Sequence, residues 1–175
     1  MQTERETAVQ LPPMKPKLYL ETTIASYLTA WPSRDLVMAA NQETTREWWA
    51  NRRDAFEIFV SQTVIKESSA GDPDAAKRRL EVLQLFPKLD ISDEVESLAA
   101  KLIAVVPLPP KAQADALHIA AAAVHHMNYL PTWNCTHIAN AALRSRIEAV
   151  CRAAGYEPPV VCTPQELLEQ GAHDA

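Results

Sequence analysis

Short apolar runs alternate with longer amphipathic stretches along this chain, and that alternation predicts its elements. Lys17 to Leu20 is a brief strand-like run, and Thr22 to Ala30 suits a short helix. Ser33 is placed to cap a long helix reaching about Arg52, with Asp35 in the first turn where the helix dipole favours an acid. Ala55 to Val60 contains Phe56, Ile58, Phe59 and Val60, residues that favour a strand. Ser61 then caps a helix that carries Glu67 and stops near Gly71. Asp72-Pro73 combines an N-cap acid with proline at the first helical position, so a new helix runs to about Phe86. Leu89 to Ile91 predicts a short strand, and Ser92-Asp-Glu opens another helix. Pro107 to Pro110 forms a break. Lys111 to His126 comes next as a helix that is apolar nearly all round, the pattern of a buried element. Tyr129 to Thr132 predicts a strand, Arg144 to Ala154 a helix, and Val160 to Cys162 a last strand. Thr163-Pro-Gln-Glu166 is a capping box opening a final helix.

Strands this short, separated by helices, argue for a parallel sheet built from right-handed crossovers. The pattern shows no repeat and no linker. It predicts an N-terminal arm over 1–16, one domain over 17–170 and a tail over 171–175. With 175 residues, 47% hydrophobic and 22% charged, the chain has the proportions of one globular core.

A net charge of −5 argues against a broad, sequence-independent grip on nucleic acid, which depends on many Lys and Arg contacts to phosphate. An acidic pocket would add to that charge, so a nuclease is not excluded. The most basic stretch, Asn140 to Gly155, holds Arg144, Arg146 and Arg152. The three cysteines, Cys135, Cys151 and Cys162, lack metal-ligand spacing and read as reduced thiols of a cytoplasmic protein. The longest apolar run, Ile119 to Val124, is far too short to span a bilayer. With only 3 glycines there is no glycine-rich phosphate loop.

Three acids are placed where chemistry could gather. Glu21 comes directly after an apolar strand, Glu67 lies on the helix after the second strand, and Asp115 opens the apolar helix. Asn134 ends the Tyr129-Leu-Pro-Thr-Trp-Asn run. In a parallel α/β sheet, strand C-termini and the helix N-termini after them share one edge, so residues distant in sequence meet there. Clustered carboxylates repel one another unless a hard cation neutralises them, and Mg²⁺ or Mn²⁺ prefers oxygen ligands. Each residue also has an ordinary reading: Asp115 as a helix-start acid, Glu67 as a solvated partner of Lys66, Asn134 as a turn former. Thr23 can support a carboxylate through its hydroxyl or cap a helix. His118, one turn after Asp115, can share its face, though a zinc site needs more His or Cys ligands. His137 reads as a satisfied surface histidine near Asn134. Trp48 and Trp49 are adjacent on a helix and cannot both face the core.

Leu18-Tyr-Leu-Glu-Thr-Thr, the helical Glu67, Ala114-Asp-Ala-Leu-His-Ile-Ala and Thr132-Trp-Asn-Cys-Thr-His-Ile-Ala-Asn, in this order and spacing, resemble the PIN domain of VapC-type toxins. The resemblance spans Lys17 to Leu168. Two positions depart from the usual pattern, which has Asp at Glu21 and at Asn134. The resemblance implies an α/β/α fold with a short parallel sheet of four to five strands and helices on both faces. It implies a divalent-metal-dependent ribonuclease using Mg²⁺ or Mn²⁺, with Glu21, Glu67 and Asp115 as ligands and Asn134 positioning water or phosphate. An RNA substrate, a small antitoxin protein and a homodimer come with it. The alternative is a catalytically weakened module of the same fold that binds RNA or a protein.

Overall fold

The computed structural model describes residues 14–106, 109 and 112–169. Most of the expected N-terminal arm, the 171–175 tail and most of the Pro107 to Pro110 break therefore lie outside the described residues. Five strands, β1 Lys17–Tyr19, β2 Glu57–Ser61, β3 Lys88–Leu89, β4 Tyr129–Pro131 and β5 Val160–Cys162, form one sheet in the order β3-β2-β1-β4-β5. Every neighbouring pair is parallel. Among the described residues the α-helices are α1 Thr22–Thr29, α2 Leu36–Arg52, α3 Gln62–Ser68, α4 Pro73–Leu83, α5 Asp93–Val105, α6 Gln113–Val124, α7 Ala141–Ala153 and α8 Pro164–Glu169.

Successive strand residues point to opposite faces. Leu18, Tyr19 and Leu20, at the centre of the sheet, are all fully buried, so both faces are covered. Helices α1, α2 and α8 pack together, as do α5, α6 and α7, while α3 touches both α1 and α6. Helix α6 is buried through Ala116, His118, Ile119 and Ala120 to Ala123. The alanines let neighbouring elements approach its backbone closely. Its C-terminal end meets the start of β4, where the Met127 amide bonds the Ala122 carbonyl at 2.9 Å. Running back from there, the N-terminal end of α6 reaches the edge where β1 and β4 finish. Trp48 is fully buried while Trp49 is partly covered, which resolves the adjacent pair.

Several boundaries differ from expectation for local reasons. Helix α2 begins at Leu36 because Asp35, not Ser33, caps it, accepting from the Met38 amide at 2.8 Å. Ser33 instead accepts from the Asp35 amide at 3.1 Å and orders the approach. A 3-10 turn over Arg53–Ala55 delays β2 to Glu57. Helix α4 stops at Leu83 and not Phe86, since Phe86 precedes a proline and is steered out of the helical region. Strand β3 is Lys88–Leu89 because Val60 and Ser61 of β2 pair there. Helix α6 spans Gln113–Val124, inside the expected Lys111 to His126. Helix α7 starts three residues early, at Ala141, because Asn140 caps the Ala142 amide at 2.9 Å. The capping box of α8 forms: the Glu166 carboxylate accepts from the Thr163 amide at 2.7 Å.

Candidate functional site

The sheet edge at the C-terminal ends of β1, β2 and β4 carries adjoining groups of hydrogen-bonded polar side chains. Glu21 leaves β1 and caps α1, its Oε2 accepting from the Thr23 amide at 3.0 Å while the Thr23 hydroxyl donates to Oε1. The neighbouring Thr22 hydroxyl donates to Oε2 of Glu67 on α3. Two adjacent threonines thus serve two different carboxylates. Thr23 also accepts from the Trp133 amide at 2.9 Å, which ties the start of α1 to the loop after β4. Trp133 is held in turn by its indole N–H on the Thr45 hydroxyl at 2.8 Å and by stacking on Tyr27.

Asp115 lies in the first turn of α6, where the macrodipole favours its charge. Asn134 donates from Nδ2 to Asp115 Oδ1 at 2.8 Å, and His137 Nδ1 lies 2.7 Å from Oδ2. Asn134 is oriented twice over, because its Oδ1 accepts from the His137 amide at 3.1 Å. Its nitrogen therefore faces Asp115, and its oxygen serves the turn. One turn further along α6, His118 Nε2 lies 2.8 Å from Glu67 Oε2. On the other side of the ring, His118 Nδ1 lies 2.8 Å from the Tyr19 hydroxyl, itself 2.6 Å from Ser61 Oγ.

Burial pushes the Glu21 carboxyl above its ordinary value, against the pull of His118, Thr23 and Thr132; the side chain is only 2% exposed. Burial also acts upward on Glu67. There the hydrogen bond and charge of His118 and the Thr22 hydroxyl outweigh it, and Glu67 titrates below the ordinary carboxylate range. Burial raises the Cys151 and Cys162 thiols, to about 11 and about 12, so neither is a thiolate at neutral pH.

The three acids gathered here offer carboxylate oxygens, the chemistry that suits Mg²⁺ or Mn²⁺. Among the described residues nothing bonds Oε1 of Glu67, whose side chain is 34% exposed, and Asp115 is 17% exposed. Glu21 is closed in by Thr23. Among the described residues, no group of three or more His, Cys, Asp or Glu side chains is arranged to hold an ion. The donor set thus suits a cation that takes one or two carboxylates and completes its shell with water, the usual habit of Mg²⁺. It does not form a ready-made cage of three acids.

Hydrogen bonds tie Glu21 to Thr23 and through it to Trp133, Glu67 to Thr22 and His118, and Asp115 to Asn134 and His137; these three groups adjoin along the chain at Thr22-Thr23, at Trp133-Asn134 and over the turn of α6 between Asp115 and His118. The sequence pattern marks His118 and His137 and assigns neither to an acid. Each pairs with one, Glu67 and Asp115 respectively. The one-turn spacing of Asp115 and His118 suggests a shared face, but His118 bonds Glu67 and Asp115 takes His137, so that spacing does not signal the pair that forms. His137 lies three residues after Asn134, the spacing of a turn that returns toward its start. Thr22, unremarked in sequence, binds Glu67.

No family model matches the chain, and no curated protein matches it. Solved structures do. VapC20 of Mycobacterium tuberculosis, a sarcin-ricin-loop-cleaving toxin, superposes with a TM-score of 0.56 at 14% identity, covering 72% of this chain and 95% of that one. VapBC2 of Rickettsia felis, bound to a DNA fragment from its promoter, gives a TM-score of 0.46 at 18% identity over 73% of this chain and 95% of that one. Five parallel strands with helices on both faces give this chain the PIN-domain fold of VapC-type toxins. Among the described residues no helix is long and apolar enough to cross a membrane.

Proposed function

We propose that this VapC-type fold is a divalent-metal-dependent endoribonuclease, the toxin of a toxin–antitoxin pair, acting on RNA phosphodiester bonds in the cytoplasm. The observation that supports it best is the set of acids at the sheet edge, Glu67 and Asp115 partly open to solvent and Glu21 buried. A small antitoxin protein and a homodimer complete the proposal, on the resemblance alone.

Glu67 and Asp115 would hold the ion, with Glu21 contributing charge from behind. Bound there, Mg²⁺ or Mn²⁺ supplies Lewis acidity toward the scissile phosphate and toward an attacking water. The chain's own residues do the positioning. Thr22 and His118 fix the Glu67 carboxylate, Asn134 and His137 fix that of Asp115, and Thr23 keeps Glu21 aimed inward from the start of α1.

A second reading, a catalytically weakened module that binds RNA or a protein, is favoured by one observation. At Asn134 the chain presents an amide nitrogen to Asp115 and not another anionic oxygen. RNA cleavage by the purified protein, freed of any bound partner, separates the two. Cleavage in Mg²⁺ or Mn²⁺ that stops in EDTA supports the nuclease. RNA binding without cleavage in either ion supports the module and overturns the nuclease.

A further inference from the structure

The least exposed part of the network lies behind Glu67. Ser61, Tyr19 and His118 form an unbroken line of polar atoms in the core: Ser61 and Tyr19 are fully buried and His118 is 2% exposed. Ser61 Oγ also accepts from the Val64 amide at 3.3 Å, so the line starts on the N-cap of α3 and ends on a carboxylate of the same helix. A core of this kind with unmatched hydrogen bonds is costly, so its protons must be ordered.

The accounting leaves one arrangement. A Glu67 carboxylate can only accept, so His118 Nε2 must carry a proton. In the neutral ring Nδ1 is then an acceptor, and the Tyr19 hydroxyl donates to it. The Tyr19 oxygen accepts from the Ser61 hydroxyl, and the Ser61 oxygen accepts from the Val64 amide. Every donor is used. A neutral ring protonated at Nδ1 would instead set a lone pair against the carboxylate 2.8 Å away. A ring protonated at both nitrogens would turn Tyr19 toward Ser61, whose own proton then has no acceptor among the described residues.

We propose that Ser61, Tyr19 and His118 form a proton-ordered relay that holds the Glu67 carboxylate, which makes His118 and Tyr19 positioning residues of the site. The proposal rests on the reading of Glu67 as a cation ligand. Hydrogen-bond partners of a ligating group fix its orientation, and their loss lowers metal affinity or activity by about ten- to a hundred-fold. Strand β1 thereby acts on the site twice: Glu21 lies just past its end, and Tyr19 steadies Glu67 through α6.

Two variants at one position separate positioning from packing. Glutamine in His118→Gln reproduces the order, its amide nitrogen donating to Glu67 and its oxygen accepting from Tyr19. Leucine in His118→Leu fills a buried space of similar size with apolar atoms and offers neither group. Mn²⁺ alone is titrated into each protein by calorimetry, with melting temperature measured in parallel. Affinity within about three-fold of wild type for His118→Gln, and at least ten-fold weaker for His118→Leu, is the expected result. Tyr19→Phe, which removes one oxygen and keeps the ring, should also lose about ten-fold while remaining folded. Nitrogen NMR of the wild-type ring should report a proton on Nε2 and none on Nδ1. His118→Leu binding Mn²⁺ as wild type does, or a wild-type ring protonated on Nδ1, overturns the relay and leaves the nuclease reading standing. A wild-type protein that binds no Mn²⁺ overturns the reading of Glu67 as a ligand, and the positioning role with it.

Discussion

Asn134→Asp tests the chemistry of the site most directly. The substitution keeps the oxygen that accepts from the His137 amide but replaces Nδ2 with an oxygen, 2.8 Å from Asp115 Oδ1. A hydrogen bond to a charged acceptor, worth about 1.5–3 kcal/mol, is lost. In its place two carboxylates lie with charge centres ~4 Å apart, a repulsion of about 4 kcal/mol at an effective dielectric near 20. Solvent contact at Asp115 screens part of this. The pair also has an escape, because keeping one proton between them costs no more than about 4 kcal/mol at pH 7 for carboxylates that ordinarily titrate near 4. The expected destabilisation of the metal-free protein is therefore about 2–4 kcal/mol at pH 7, a fall in melting temperature of very roughly 10 °C for a chain of this size. The penalty should shrink as pH falls toward 5, since the folded variant takes up a proton that the unfolded chain does not yet hold. Mn²⁺ should restore much of the loss, and its affinity should exceed that of the wild type. Asn134→Ala, which loses the hydrogen bond without adding charge, should show neither the pH dependence nor the extra rescue. Thermal melts in EDTA and in Mn²⁺, at pH 5 and pH 7, decide the matter. An Asn134→Asp protein that melts with wild type in EDTA at pH 7 would refute the placement of the amide nitrogen against Asp115.

Asp115→Asn should reduce metal-dependent RNA cleavage at least a hundred-fold while circular dichroism and melting stay close to wild type; full cleavage by the folded variant would remove Asp115 from the site. For Glu21, whose carboxyl is pushed up by burial, the sign is set by proton uptake in the folded state. That contribution to stability is lost as pH rises through the raised folded value, so the metal-free protein should gain stability as pH falls from 7 toward 5. Glu21→Gln should flatten that slope in urea melts, and an unchanged slope would assign it to another group. Gly71 has φ +85° with nothing within 4 Å of an added Cβ, so Gly71→Ala should cost only the backbone term, about 1–2 kcal/mol, read from the same urea melts.

The order of strands and helices was legible because the periodicities are local. A buried strand needs only a few apolar residues, and caps such as Ser61, Asp72 and Thr163 mark where α3, α4 and α8 begin. Helix ends were harder, since Asp35 and Ser33 are equally good caps in isolation and only the three-dimensional turn selects one. The acids could be named from strand ends and helix starts, and Thr23 as the hydroxyl beside Glu21, but the partners distant in sequence could not. Thr22 reaches Glu67 across 45 residues and His118 reaches it across 51. Such pairings are created by strand order, and single-residue patterns do not encode them. Asn134 shows the same limit more sharply. Its identity suggested a turn former or a group that positions water or phosphate, and only the doubly fixed amide shows that its nitrogen faces Asp115.

The end of β4 is pinned from a distance: the Thr132 amide bonds the Cys162 carbonyl at 2.9 Å, and Pro131 pairs with Cys162 in the sheet. During synthesis, Glu21, Glu67 and Asp115 all leave the ribosome well before Cys162. The loop that steadies Asp115 through Asn134, though held by Trp133 on Thr23 and Thr45, therefore lacks this further anchor until the whole of α7 and the last strand have been added. The acidic edge thus has its full set of contacts only once β5 is made, and a growing chain with every acid already present still lacks one of the bonds that steady it.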